Sequence, residues 1–319
     1  MGYGLSGHVG ICFQNSFGSA CTSSMYYLPI ISETLSEAKP PLIPEGMRGR
    51  FEAGDDYEGF NELTGDIVFE AHPILAGIAL KAWAGQSSGT LSGSVYTHEF
   101  IPRTVDFDKF AAVPPMTIEV YRDAGSGMQF YDMLCDQLTI EIAHGALQKI
   151  TMGMIGGKAQ KTTKTSPSYL PGSEYTWDQA SISYGGSAND QFSQITVVAK
   201  NNLEAKGTLN GTKTPSRIKR SDYRVVEVSG TVLVEDDTMK DDYRSKTTKR
   251  VVLCSAGQNV SSGYPANLII DIPSFRFAEY PDNIEGPTLM EAGFSAEAKY
   301  NTGSATMIKF SLTNTLSTY

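Results

Sequence analysis

Long apolar runs, cysteine pairs, clustered basic charge and regularly spaced histidines are all scarce in this sequence, and each scarcity removes a class of function. No stretch approaches the roughly 18 apolar residues that a membrane-spanning helix needs. The opening MGYGLSGHVG lacks the basic-then-apolar pattern of a signal peptide, so folding in a reducing cytoplasm is expected. Four cysteines, Cys12, Cys21, Cys135 and Cys254, show no C-x-x-C spacing. In a chain this long they read as buried thiols rather than a disulfide framework. The histidines, His8, His72, His98 and His144, never stand three or four residues apart, so no metal site and no cofactor is expected. Lys and Arg number 26 against 35 Asp and Glu, a net charge of -9 with a pI near 5.0. Gripping a phosphate backbone takes clustered cations, so tight nucleic-acid binding is excluded. An acidic surface that sits near DNA without holding it is not.

Catalytic signatures are missing as well. Gly2-Tyr3-Gly4-Leu5-Ser6-Gly7 fits G-x-G-x-x-G by letter but has no preceding strand, so it reads as a flexible arm. Gly85-Gln86-Ser87-Ser88-Gly89 fits G-x-S-x-G, yet it follows a helix where a nucleophile elbow needs a strand. GMIGGKAQ (153–160) is one residue short of a phosphate loop and has Ala159 where a metal-binding hydroxyl belongs. EAGDDYEG (52–59) lacks the order of a calcium loop, and the basic run TKTPSRIKRSDYR (212–224) is better suited to a protein neighbour. An enzyme is not expected.

What remains is alternation. MTIEVY (116–121), DQLTIEIA (136–143), SQITVVAK (193–200), VVEVSGTVLVE (225–235), NLIIDI (267–272) and SFRFAEY (274–280) each have the period of a half-buried strand. Gly- and Ser-rich stretches, GQSSGTLSGS (85–94) and YGGSAND (184–190), read as loops. Helices are few. HPILAGIALKAWAG (72–85) has Pro73 to start and Gly85 to stop it, with Ile74, Leu75, Ile78, Leu80 and Trp83 on one face for packing onto a sheet. DDTMKDDYRS (236–245) opens on Asp236 and Asp237 and is polar, hence shorter and more exposed.

The two helices follow the same kind of strand. Gly65-Asp-Ile-Val-Phe-Glu70 matches Gly230-Thr-Val-Leu-Val-Glu235, an offset of 230 - 65 = 165, and a later pair, Gly153 and Gly293, has an offset of 293 - 153 = 140. The shortfall fits an extra Gly/Ser/Pro-rich stretch near 85–115 in the first half. Upstream of each lie a strand ending LSEAK or LEAK and a long loop. The ordered series strand, long loop, strand, helix, strand, strand pair indicates a duplication with its boundary near 161–175. It divides the chain into an N-terminal arm (1–25), a first module (26–165), a second module (166–300) and a C-terminal strand or arm (301–319).

Val9-Gly10-Ile11-Cys12-Phe13, Ser16-Phe17-Gly18-Ser19, and Leu28-Pro29 with Ser32-Glu33-Thr34-Leu35 resemble the opening of bacteriophage tail tube proteins. The Gly/Arg-rich loop (45–59), GDIVFE, YTHEFIP (96–102) and MTIEVYRD (116–123) continue the resemblance over nearly the whole chain. It implies a mainly β fold of two tandem β-sandwich or barrel-like modules, each with a flanking α-helix. It also implies stacked rings of six-fold geometry around a channel in the virion tail, assembled in the host cytoplasm. Duplication suggests three chains with pseudo-six-fold symmetry, with six chains as the alternative. Partners implied are the tape measure protein, the tail terminator, distal tail or baseplate proteins, and double-stranded DNA passing through the lumen without specific binding.

Alternation puts Glu119, Glu141 and Asp271 opposite Ile118, Ile140 and Ile270, so these acids are expected on the lumen wall. Contacts between rings or subunits are expected from the loop at 40–59 (Leu42, Ile43, Met47, Arg48, Arg50, Phe51, Asp55, Asp56) and from its basic counterpart (Arg217, Lys219, Arg220), whose charges are opposite. Two other readings fit the same residues. One is the inner tube of a contractile injection or secretion system. The other is a carbohydrate-binding β-sandwich with Trp83 and Trp177 as stacking platforms.

Overall fold

The computed structural model describes residues 4–21, 25–46, 49, 51, 52, 54–106, 113–261, 263–281, 283 and 289–319. The expected Met47, Arg48 and Arg50 contacts lie outside the described residues. Antiparallel β-structure dominates, and the described residues hold two α-helices, Leu75–Ala84 (α1) and Thr238–Ser245 (α2).

Eight neighbouring strand positions form the inner layer. Ile30–Glu33, continued by Ser36–Ala38, pairs with Glu62–Glu70, which pairs with Lys149–Gly156, which pairs with the later part of Gly127–Ala143. That strand pairs in turn with Phe192–Lys200, followed by Val225–Leu233, Glu291–Ala298 and the end of Tyr264–Glu279. The first four positions come from the first half of the chain and the last four from the second, in corresponding order.

The two long strands cross into a second layer. The early part of Gly127–Ala143 pairs there with Met116–Tyr121 and Lys158–Thr162, and Met116–Tyr121 with His8–Phe13. The early part of Tyr264–Glu279 pairs with Lys249–Ser261 and Lys309–Asn314, and Lys249–Ser261 with Ala180–Tyr184. Each crossing is made at register shifts. In the first strand, Asp132 takes a left-handed φ of 59°. In the second, Pro273 sits between Ile272 and Phe275, a place where a missing N–H is tolerated. NLIIDI and SFRFAEY are therefore one strand, not two.

The halves also share register. Gly65 stands opposite Met154 and Gly230 opposite Phe294, so offsets of 165 and 140 meet in the same pair. Both glycines are crowded on their other side in the same way. A Cβ on Gly65 would lie 2.5 Å from the Thr34 carbonyl oxygen, and one on Gly230 would lie 2.1 Å from that of Gln194.

Between the layers runs one apolar cluster drawn from both halves, including Ile67, Phe69, Ile140, Ile195, Val228, Phe275 and Phe310. Helix α1 is buried at nine of its ten positions, all but Lys81, rather than along the single face expected. Ala76, Gly77, Ala79 and Ala82 make its second side thin enough to be covered as well. His72 Nδ1 accepts the Ile74 N–H at its start, and Gly85 ends it at φ 85°. Helix α2 is short and exposed, burying only Met239 and Asp242.

Further expectations need correction. Cys12 and Cys21 form a disulfide, because strand His8–Phe13 and the turn after it bring their Cα atoms to 6.1 Å; Cys135 and Cys254 are free. Residues 8–13, read as part of an arm, are a strand with five of six positions buried. The stretch 85–94 is not simply a loop: Ser88–Ser92 and Val95–Phe100 form a hairpin, and Val95–Phe100 pairs with Lys309–Asn314. Glu119 is buried, as the next section describes.

Candidate assembly surfaces

The inner layer has one face on the core and one facing outward. Register places the outward residues in rows across seven of the eight strand positions, from Glu62–Glu70 onward. One row reads Glu70, Lys149, Glu141, Thr196, Ser229, Ser295, Glu279. The next reads Val68, Thr151, Thr139, Val198, Glu227, Glu297, Arg276. Together they carry five Glu against one Lys and one Arg, a formal charge of 2 - 5 = -3, on a ground of hydroxyl and short apolar side chains. Lys200 pairs with Glu227 at 2.7 Å and Lys299 with Glu297, so the negative excess on this face is modest, and its cations are spread among acids rather than clustered to hold phosphate.

Of the three acids expected on a lumen wall, Glu141 lies on this face. Glu119 does not. It sits in Met116–Tyr121, which is buried on both faces, and is 2% exposed. Residues after Lys158–Thr162 cover it: the Thr165 hydroxyl donates to Glu119 Oε1 at 2.5 Å and lies 3.3 Å from His8 Nε2. Burial holds His8 below the usual histidine range, and Glu119 opposes that shift. Asp271 lies in the second layer, where Arg250 donates to both carboxylate oxygens at 2.8 Å. Glu70, Glu227, Glu279 and Glu297 were the outward acids missed. Period-two alternation in GDIVFE and VVEVSGT carried that signal, but only cross-strand register separates one layer's outward face from the other's.

At one end of the inner layer two loops stand side by side. Pro41–Leu42 pairs with Tyr57–Glu58 at the base of the first, and Leu203–Lys206 with Arg217–Arg220 at the base of the second. Lys213 Nζ meets Glu58 at 2.7 Å, Lys39 meets the same carboxylate at 3.3 Å, and the Asn61 N–H donates to the Lys213 carbonyl at 2.8 Å. Lys213, with Lys39, holds the Glu58 carboxyl below its usual range. One pair of opposite charges from the two loops, Glu58 and Lys213, thus meets within one chain; the expected contact residues Asp55, Asp56, Arg217 and Lys219 are not part of it.

Arg220 also turns inward, donating to the Asn201 carbonyl at 3.2 Å and pairing with Asp106 at 3.9 Å. Beside it Arg224 stacks over Trp83 at 5.3 Å, and burial pulls its guanidinium down to about 10. Arg217, Asp55 and Asp56 are exposed and Lys219 is half-buried. Leu42, Ile43 and Phe51 are exposed at 61%, 67% and 108%, an unusual concentration of apolar surface on one loop. Trp83 is fully buried, so it offers no platform for a sugar. Among the described residues no three His, Cys, Asp or Glu side chains converge as a metal site, and no helix is long and apolar enough to cross a membrane.

A family model described as phage tail tube protein matches residues 4–298. The chain belongs to the phage tail tube protein family. No curated protein matches it. Membership makes the chain a structural component of the phage tail. The family match extends across all eight inner-layer strand positions and both loops, so these surfaces are part of the tail tube unit itself.

Proposed function

We propose that three copies of this tail tube protein close into a ring of pseudo-six-fold symmetry, and that the rings stack into the DNA-conducting tube. The reading rests on one observation, the order of strands in the inner layer. Inside the chain, the last strand of the first half, Gly127–Ala143, pairs with the first strand of the second, Phe192–Lys200. The corresponding strands at the two ends are Ile30–Glu33 and Tyr264–Glu279. Among the described residues, Ile30–Glu33 pairs with Glu62–Glu70 on one edge only. Repeating the internal junction between chains joins Tyr264–Glu279 of one copy to Ile30–Glu33 of the next, a heterologous contact that closes if its rotation permits. Four strand positions per half repeat six times around such a ring, and a duplication of one ancestral module accounts for the shared order and register.

The hydroxyl-rich, net-negative face would then line the lumen, letting DNA pass without being held. The tape measure protein would occupy that lumen before DNA does, and terminator and distal tail proteins would close the ends. Negative-stain electron microscopy of the concentrated protein tests the reading, with native mass measurement of the rings. Six-lobed hollow rings of three chains are expected. Six chains per ring would overturn the pseudo-six-fold closure, and absence of rings at every concentration would overturn self-assembly.

A further inference from the structure

The loop 207–216 joins Leu203–Lys206 to Arg217–Arg220, and residues 207–213 at its tip are all exposed. At that tip stands Asn210-Gly211, the one Asn-Gly pair in the sequence. The loop holds this asparagine from several sides. Its N–H donates to the Thr208 carbonyl at 2.7 Å. Its side-chain Oδ1 accepts twice from one residue, the Thr212 N–H at 3.1 Å and the Thr212 hydroxyl at 2.8 Å. Below the tip, the Thr208 hydroxyl donates to Ser216 Oγ at 3.1 Å, and Ser216 donates its own N–H and hydroxyl to the Lys206 carbonyl.

An amide carbon with two donors on its oxygen is an activated electrophile. The bond from Oδ1 to the nitrogen two residues on curls the side chain back along the intervening peptide, which turns Asn210 Cγ toward the Gly211 nitrogen. Attack by that nitrogen places negative charge on Oδ1, and the Thr212 donors already stand where the charge develops. Gly211 leaves the nucleophile accessible. It has no side chain to shield its nitrogen, its φ is 75°, and nothing lies within 4 Å of the position a Cβ would take. Among the described residues, no hydrogen bond engages its N–H.

We propose that Asn210 is a self-modification site, at which the folded loop converts the asparagine to aspartate and isoaspartate with water as the co-reactant. Hydroxide takes the Gly211 N–H proton and the nitrogen bonds to Asn210 Cγ. The Cγ–Nδ2 bond then breaks, and the amide nitrogen leaves as ammonia after taking a proton from water, which returns the hydroxide. Water opens the resulting succinimide at either carbonyl, so a carboxylate stands where the amide was, and nothing is oxidised or reduced. Two properties of the loop change. Lys206 and Lys213 against Glu204 give residues 203–216 a net charge of 2 - 1 = +1, which the new carboxylate brings to zero. Isoaspartate also routes the main chain through the former side chain, which removes the acceptor that shapes the tip. The chemistry needs no second copy of the chain, so it stands apart from the ring reading.

Peptide mapping of the full-length folded protein tests the chemistry. The protein is incubated in mildly alkaline buffer, then digested in heavy-oxygen water, which marks any conversion during handling, and its peptides are resolved by chromatography and mass spectrometry. The Asn210 peptide should gain the mass of an amide-to-acid change, with isoaspartate in excess, about tenfold faster than any other asparagine. Folded wild type should convert at least as fast as the same chain unfolded in urea. Thr212→Val, at an exposed position, should keep the wild-type melting temperature and slow conversion about threefold or more, in the folded state only. No conversion at Asn210, protection of Asn210 by folding, or equal folded rates for wild type and Thr212→Val overturns the proposal.

Discussion

Tyr319 occupies the space that a side chain on residue 77 would need: a Cβ on Gly77 would lie 2.1 Å from Tyr319 Cζ. The tyrosine hydroxyl donates to the Ile74 carbonyl at 2.9 Å, and its ring packs edge-on against His98 at 4.8 Å. Lys81 donates to its backbone oxygen. Tyr319→Ala should therefore cost about 3 kcal/mol, in the range for deleting a buried aromatic. Gly77→Ala should cost a similar amount by expelling the ring, yet less than about 1 kcal/mol in the Tyr319→Ala background. Urea denaturation of the four proteins gives the cycle, and additive losses would refute the coupling.

Gly65 and Gly230 each face a backbone oxygen of the neighbouring strand at the same register point. Alanine at either position should destabilise by about 1–3 kcal/mol, the usual cost of overpacking. Equal midpoint shifts in denaturant are expected, and tolerance at one site only would count against equivalence of the two halves.

Asp132 gives a pH dependence of defined sign. Its Oδ1 accepts from Gly18 N at 2.7 Å and Gln14 Nε2 at 3.0 Å, but burial raises its pKa and Oδ2 has no hydrogen-bond partner. The folded state therefore keeps this proton to higher pH than the unfolded chain does. Stability from this group is present below the ordinary carboxylate pKa and falls as pH rises through the raised one. Asp132→Asn keeps the Oδ1 acceptor and suits the left-handed φ, so it should flatten that decline. Melting temperatures of both proteins from pH 4 to 8 provide the check, and parallel curves would reject it.

The Cys12–Cys21 disulfide closes a short loop, with a sequence separation of 9. Chain-entropy arguments give it about 2–3 kcal/mol. Adding a phosphine reductant should lower the melting temperature of the wild type and leave Cys21→Ala unchanged.

Ile31 is half-exposed on the open strand Ile30–Glu33. Ile31→Lys should leave stability within about 0.5 kcal/mol, as surface changes do, while reducing ring formation sharply. Rings at wild-type yield in micrographs would move the chain-to-chain junction elsewhere.

Legibility in the sequence followed the range of the physics involved. MTIEVY matched strand Met116–Tyr121 residue for residue, and Gly85 stopped α1 where expected, because alternation and left-handed caps are local signals. Equivalence of Gly65 with Gly230 was also readable, since both answer to the same backbone crowding. Glu119 was misjudged because its alternation matches that of a half-exposed strand, and only the distant Thr165 segment turns the second face inward. The intrachain pairs Arg220–Asp106 and Lys213–Glu58 were not legible for a related reason: the partners are remote in sequence. Pro273 looked like a strand boundary because a register shift cannot be seen in one strand alone.

The hairpin ending in Val95–Phe100 has a consequence for timing. Its partner strand lies more than 200 residues later, as the Thr97–Thr313 contact at a separation of 216 shows. On the ribosome, the first half is synthesised long before Lys309–Asn314 emerges, so its hairpin must wait unpaired. Such long-range closure makes folding slow. It also keeps a nascent chain from completing its core until Lys309–Asn314 has been made. A chaperone that shields Val95–Phe100 during that interval would raise the yield of folded chain without touching the finished one.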